Sequence, residues 1–519
     1  MAKEVTFGKI DLGLTAGTQS AGASAPNDEP FHIAVLGDFS GRANRGVLQV
    51  GSSLAGRRPV TVDRDNFDGV MAKFGVRLDL PIAGAQETTL ALNFAELDDF
   101  HPDRLFDRLA IFQKLRETRR ELNNTATFAA AAERLKGWIT PAQGHDAPVP
   151  KPAEDEAPTI HMESQVIMDE LLASSAARAA QAARSPIDVS ALIRDIVEPY
   201  VLPGRDPRQP ELVAAVDQVI SAEMAAVLHH PGFQQIEAAW RALYFLVRRL
   251  ETEANLKIFV IDVSKSELIA DVNAKENLAA SGLYKLLVEQ TVNTAGGKRC
   301  ALLIGNYIFD QTADDAQLIG RLARIAKAAA APFVAGASPH LVGCESFAAT
   351  PDPDDWMRPF DAEGSHAWSA ARKLAEATSV GLALPRFILR LPYGRKADRV
   401  ERFDFEELAT ENPATEHYLW GNPAFICAVI LGQAYSESGW EFRPEVEQTI
   451  DSLPVHTYTS VGEREVKPCA EALLIDRAIE RIIDAGLMPL VSLKGRDAVR
   501  LYSVHSIAQP QRPLAGRWR

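Results

Sequence analysis

A few short stretches carry side chains in the company that chemistry needs. Ala295-Gly296-Gly297-Lys298 has the glycines and lysine that end a phosphate loop. It lacks the upstream glycine and the Ser or Thr that would hold magnesium, and it precedes a strand instead of joining strand to helix. A turn is expected there. The glycine-bearing loop LGDFSGR at 36–42 follows a strand without GxGxxG spacing, and reads as a structural turn. His229 and His230 are adjacent, so on a helix they diverge by about 100° and cannot chelate one ion as an i, i+4 pair could. They mark the end of a helix. Asp98 and Asp99 stand just ahead of a helix, where carboxylates cap free amides and meet the positive dipole end. Cys300, Cys344, Cys427 and Cys469 show no CxxC pairing and read as small buried hydrophobes in a reducing compartment. No catalytic residue, metal ligand or cofactor site is assigned.

The bulk properties fit that outcome. At 519 residues the chain exceeds the size at which single cores stop growing, so two or three domains are expected. Hydrophobic residues at 46% and charged residues at 24% describe a globular chain with a large core. A net charge of -14 argues against nucleic-acid binding, which needs a basic face. The N-terminal MAKEVTFGKIDLG lacks a secretory apolar region, and no run approaches the roughly 18 apolar residues of a membrane helix. No membrane insertion is expected, and the expected compartment is the cytoplasm.

The elements that position these residues suggest an α/β chain: a small N-terminal α/β domain linked to a larger α/β domain with a mixed sheet covered by helices. Residues 1–29 form a strand plus flexible tether. The strand, 5–14, shifts its apolar phase: Val5 and Phe7 share one face, Ile10, Leu12 and Leu14 the other. Such a strand either adds to a neighbouring molecule's sheet or folds back as an edge strand. A small domain spans 30–140, in which Asp63 or Asp65 can cap a helix and Leu90, Leu92 and Phe94 alternate as in a half-buried strand. Residues 141–160 are a Pro- and acid-rich linker, and 161–208 a helical connector with an apolar stripe of Ile167, Leu171 and Leu172. The large domain covers 209–508. It opens with a helical hairpin broken at His229-His230-Pro231, with Phe233, Ile236, Trp240, Leu243 and Val247 turned inward. Residues 509–519 read as an extended basic tail.

These residues match a known family. PFHIAVLGDFSGR, RRPVTVDRDNFDGVMAKF and LNFAELDDFHPDRLFDRL resemble the small subunit of the type VI secretion contractile sheath (TssB/VipA). From about residue 160 onward the chain is similar to the large subunit (TssC/VipB). The motifs are VLHHP at 227–231, IGNYIFD at 304–310, APFVAGASP at 331–339, LALPRFILRLPYGR at 382–395, YLWGNPAF at 418–425 and the closing KGRDAVRLYSVHSIAQP. The resemblance therefore implies a fusion of two subunits, tail-sheath-like in fold.

The resemblance assigns structural family positions to Asp38, Phe39 and Gly41, to Asp99, Phe100, His101 and Pro102, to His230, Pro231 and Trp240, and to Pro385, Arg386, Pro392, Tyr393 and Trp420. It implies copies of the chain or other sheath subunits wrapped around an inner tube (Hcp-like) on a baseplate, linked by donated strands. Val5, Phe7, Ile10 and Leu12 are the assembly-strand candidates. A ClpV-type AAA+ unfoldase would engage 161–174 through Ile167, Leu171 and Leu172. The family's large subunit continues beyond the AQP segment, so either another protein completes the donated-strand sheet or this chain is an adaptor or cap that does not polymerise. A small-molecule enzyme using the large domain is the rival of another class.

Overall fold

The computed structural model describes residues 6–10, 29–81, 89–124, 127–139, 209–294, 297–408, 411–444, 448–460 and 462–518. The linker and connector, with Ile167, Leu171 and Leu172, lie outside the described residues, as do Val5 and Leu12.

FHIAVLG contains no polar alternation, so its seven residues must be covered on both faces. This strand, β1 (Phe31–Gly37), is buried along its whole length. Its neighbours come from far along the chain: β5 (Leu256–Asp262) pairs with it in parallel from Phe31↔Leu256 to Gly37↔Asp262. On its other side β6 (Leu302–Phe309) pairs in parallel, Ile33 opposite Leu302. The 30–140 segment therefore builds no sheet of its own around β1. Its β2 (Val60–Val62) joins the same sheet, antiparallel to β5 at one edge. The small-domain and large-domain segments share one nine-stranded mixed sheet, the mixed sheet covered by helices that was expected.

The sheet continues beyond β6 through β7 (Phe333–Ala337), β8 (Val380–Leu384) and β14 (Met488–Ser492), all parallel. It closes with antiparallel β15 (Val499–Leu501) and β11 (Gln448–Ile450). Three two-stranded ribbons lie outside it: β3 (Val76–Pro81) with β4 (Thr89–Phe94), β9 (Phe387–Ile388) with β10 (Trp420–Gly421), and β12 (Thr457–Ser460) with β13 (Glu463–Val466). Leu92 and Phe94 of β4 face inward and Leu90 is partly buried, in the expected alternation.

Helices cover both faces. Phe31, Ile33 and Val35 pack into one core with the helical hairpin, Gln209–Leu228 and Pro231–Arg249, and with helix Ala424–Ser438. Ala34 and Leu36 belong to the opposite core, under helices Lys265–Asn273 and Ala313–Ala329. Each large side chain so buried contributes about 1.5–3 kcal/mol. The hairpin bends by 64° at its break. No single helix among the described residues is long and apolar enough to cross a membrane.

Two ends of the chain settle on this body. Phe7 is buried over Gly320, Ile10 packs against the second core, and Lys9 forms a lone parallel bridge with Asn277. Residues 6–10 thus lie on the chain's own fold. The tail is not loosely extended as its basic composition suggested. Leu514 is buried, Ala515 N–H bonds the Thr378 carbonyl at 2.8 Å, and Arg517 pairs with Glu29 at 2.7 Å over the Trp440 ring. Apolar Leu514 and Trp518 outweigh its charge.

The segments also touch backbone to backbone. Asp271 accepts N–H bonds from Gly51 at 2.6 Å and Gly282 at 3.0 Å, and a Cβ on Gly282 would overlap the Gly51 carbonyl oxygen. Gly282→Ala should lower the thermal unfolding midpoint, because overpacking costs about 1–3 kcal/mol. Gly69→Ala, in an open helical position, should leave it unchanged or slightly raised; calorimetry of the two variants checks the contrast.

Candidate functional site

In doubly wound sheets ligands bind where strand order reverses, beyond the carboxyl ends of the strands. Numbered by chain order, parallel strands β5, β1, β6, β7 and β8 run 2-1-3-4-5 across the sheet, so β1 and β6 flank that reversal. The loop after β1 is the Gly-Asp turn singled out in the sequence. Asp38 organises that turn: its two oxygens accept the Arg42 and Ala43 N–H groups, each at 2.7 Å. Asp262, ending β5, accepts from Phe39 N–H at 2.8 Å and Ser40 Oγ at 2.7 Å. Burial pushes the Asp262 carboxyl up, against the pull of those bonds. Gly41 has φ +79°, and a Cβ there would overlap the Arg77 carbonyl oxygen, so only glycine fits. From β6, Tyr307 Oη donates to the Val263 carbonyl at 2.7 Å.

Two guanidinium groups converge on one carboxylate just beyond the end of β5. Arg42 bonds Glu267 through Nε at 3.0 Å and Nη2 at 2.9 Å; Arg57 Nη2 reaches the same carboxylate at 2.5 Å. Glu267 is fully buried, and it also accepts Ser264 N–H in a capping box. Burial pushes its carboxyl up, but the bonds from Arg57 and Arg42 outweigh that and hold it down at about 2.

A second junction is aromatic. Trp240 Nε1 donates to the Phe39 carbonyl at 2.8 Å, and its ring is met edge-on by Phe39, Phe67 and Phe74 at 5.4, 5.7 and 5.7 Å. All three phenylalanines come from the small-domain segment and Trp240 from the other. Phe100 stacks on Phe94 at 4.3 Å and meets Phe233 edge-on at 5.7 Å, again across segments.

A third cluster, ionic and buried, lies within the 209–508 segment. Arg390 Nε bonds Glu237 at 2.8 Å and its Nη1 bonds Glu407 at 2.7 Å; Arg241 bonds Glu237 at 2.7 Å and the Tyr393 hydroxyl at 3.0 Å. Burial would raise the Glu407 carboxyl, yet Arg390 holds it at about 2. Tyr393 N–H completes that carboxylate at 2.7 Å, and the His101 ring sits edge-on to Tyr393 at 4.9 Å. His101-Pro102 and His230-Pro231 do the same work twice. Each histidine caps a helix, accepting from Asp103 N–H at 3.2 Å and Gly232 N–H at 3.1 Å, with proline at the first turn. His229 stacks on His417 at 4.1 Å and its Nε2 lies 3.7 Å from Glu407, beyond hydrogen-bond range.

The remaining sequence candidates are placed as follows. Asp99 accepts Ala95 N–H at 2.6 Å and bridges to Arg108 at 2.5 Å; Asp98 is exposed. Asp63 organises a turn through the Asp65 and Asn66 N–H groups instead of capping the next helix. Pro385 follows a cis bond, Pro392 is buried, Arg386 pairs with Glu471, and Trp420 donates to the Thr415 carbonyl at 2.7 Å. Ala295 and Gly296 lie outside the described residues, while the Lys298 ammonium sits 5.6 Å over the Phe259 ring. All four cysteines are buried, with burial pushing Cys300 and Cys427 up to about 12. Among the described residues no group of three or more His, Cys, Asp or Glu side chains could hold a metal.

The ionic partners Arg57, Glu267, Arg390 and Glu407 escaped the sequence reading. One signal was available: Glu237 stands beside Ile236 and one turn before Trp240, on a face otherwise apolar.

A doubly wound sheet completed by two segments, with arginines of one paired to a buried glutamate of the other, defines one shared body. Two family models divide the chain at the seam between those segments. Residues 13–142 match the type VI secretion system family VipA (VC_A0107 or Hcp2), and 210–508 match VipB, the EvpB/VC_A0108 tail sheath N-terminal domain. The chain belongs to the VipB tail sheath family, with a VipA segment joined ahead of it. It is 34% identical over 305 residues to the type VI secretion system sheath protein TssC1 of Pseudomonas aeruginosa, covering 58% of this chain and 61% of that protein. It is 27% identical over 145 residues to TssB1, the sheath protein of the same organism, covering 26% of this chain and 82% of that one.

Two outcomes test the seam. Trp240→Phe keeps the ring packing but strands the buried Phe39 carbonyl, costing about 1–3 kcal/mol in urea unfolding. Glu267→Gln removes a carboxylate held below its ordinary 4.5, whose contribution is full above that value and lost as pH falls towards 2. The variant should therefore be about 3 kcal/mol less stable at neutral pH, the scale of a broken buried pair, and the gap should shrink steadily on acidification. A gap independent of pH counts against the ion pair as its source.

Proposed function

We propose that this chain is a structural component of a type VI contractile sheath, a TssB–TssC fusion that assembles around an inner tube and contracts to propel it. The observation that carries this reading is the shared sheet: the VipA-like segment supplies β1 and β2, and the VipB-like segment the seven strands around them. The chain performs no catalysis. Its work is mechanical, stored in packed interfaces with two discrete arrangements. Its partners are other copies or sheath subunits, an Hcp-like tube, a baseplate and a ClpV-type unfoldase contacting Ile167, Leu171 and Leu172. The compartment is the bacterial cytoplasm. Val5, Phe7, Ile10 and Leu12 link neighbours when the N-terminal strand is released from its seat by Gly320.

Negative-stain microscopy and sedimentation of the purified chain, alone and with the tube protein, should show tubes, rings or long oligomers. A monodisperse monomer in every mixture rejects the polymer reading. Full assembly after deletion of residues 1–14 would move the lateral link elsewhere.

A further inference from the structure

Helix Ala110–Asn123 carries Arg116, Arg119 and Arg120. With Arg402 from the other segment they line an open groove of 330 Å³, floored by Phe106 and Asn123. Compensation is incomplete. Arg116 and Arg402 share one carboxylate, Asp107, at 2.7 and 3.1 Å. Arg119 is turned to Asp217 on the neighbouring helix, and exposed Arg120 makes no ion pair among the described residues. Positive charge is thus in excess at this spot of a chain whose net charge is -14.

Next to the groove, with Asp107 and Arg402 as common wall, opens a cavity of 560 Å³. Asp98, Asp103 and Glu401 line it, and there carboxylates outnumber guanidinium groups. Asp103 is spent on the Glu401 and Arg402 N–H groups, but Asp98 and Glu401 are exposed. Guanidinium forks match carboxylates in shape as well as charge. Opposite excesses side by side make a surface complementary to a copy of itself.

We propose that Arg116 and Arg120 of one copy dock against Asp98 and Glu401 of a second copy of this chain. The interface is polar, so it holds register and loosens with salt. It rests on the assembly reading above and names one contact within it.

The test uses the full chain and the concentration at which half of it sediments. Arg116→Glu with Arg120→Glu should raise that concentration by about tenfold or more, and Asp98→Lys with Glu401→Lys should do the same. Mixing the two double variants restores opposite charge at the contact and should return assembly to the wild-type concentration. Circular dichroism and unfolding midpoints report whether each variant folds. If a reversal does not fold, Arg120→Gln and Asp98→Asn replace it with a smaller expected shift in the same direction. Variants that assemble like wild type, or a mixture that fails to recover, overturn the contact while leaving the sheath reading intact. A groove that binds inorganic phosphate while assembly ignores the variants overturns it in favour of a small anion. A wild-type chain that never self-associates overturns both.

Discussion

The placement of β1 constrains everything else in this molecule. A strand buried on both faces and paired on both edges cannot be left out without exposing the apolar flanks of β5 and β6 and freeing two rows of backbone donors and acceptors. An unpaired central edge is a template for any other strand. The VipB-like segment therefore has no complete sheet until the VipA-like segment delivers β1, and β1 has no stable home elsewhere.

Burial alone would not fix how the segments meet, since hydrophobic contact is non-directional. The seam carries polar groups whose geometry admits one arrangement. Glu267 of the VipB-like segment is satisfied only when Arg42 and Arg57 of the VipA-like segment both arrive. A slipped arrangement would strand buried charges, which is costly beyond what misplaced methyl groups would be. The Trp240 bond to the Phe39 carbonyl acts alike, tying a core side chain to one backbone atom of the other segment. Apolar area supplies the stability, and these contacts select the register.

Much of this was legible in the sequence, and the exceptions are physical. The strand ahead of the Gly-Asp turn and the helical hairpin broken at His229-His230-Pro231 were both legible. What local pattern cannot show is which distant strand sits beside which: β1 reads the same in a small private sheet and in the centre of a large one. Local pattern does not mark Glu267 or Glu407, because Arg57 lies 210 residues from the first and Arg390 lies 17 residues from the second. The tail misled by composition, its basic residues masking the buried Leu514 and Arg517.

The bonds made by the loop after β1 serve the joining of the two segments. In the same sheet order an enzyme leaves the strand reversal open, and the first loop there approaches a ligand through bare backbone. Here that loop turns its amides to Asp38 and Asp262, and its arginine to Glu267, so the groups that would greet a ligand are spent on the seam. The charged lock between the segments makes rigid displacement of the shared sheet less costly than internal rearrangement.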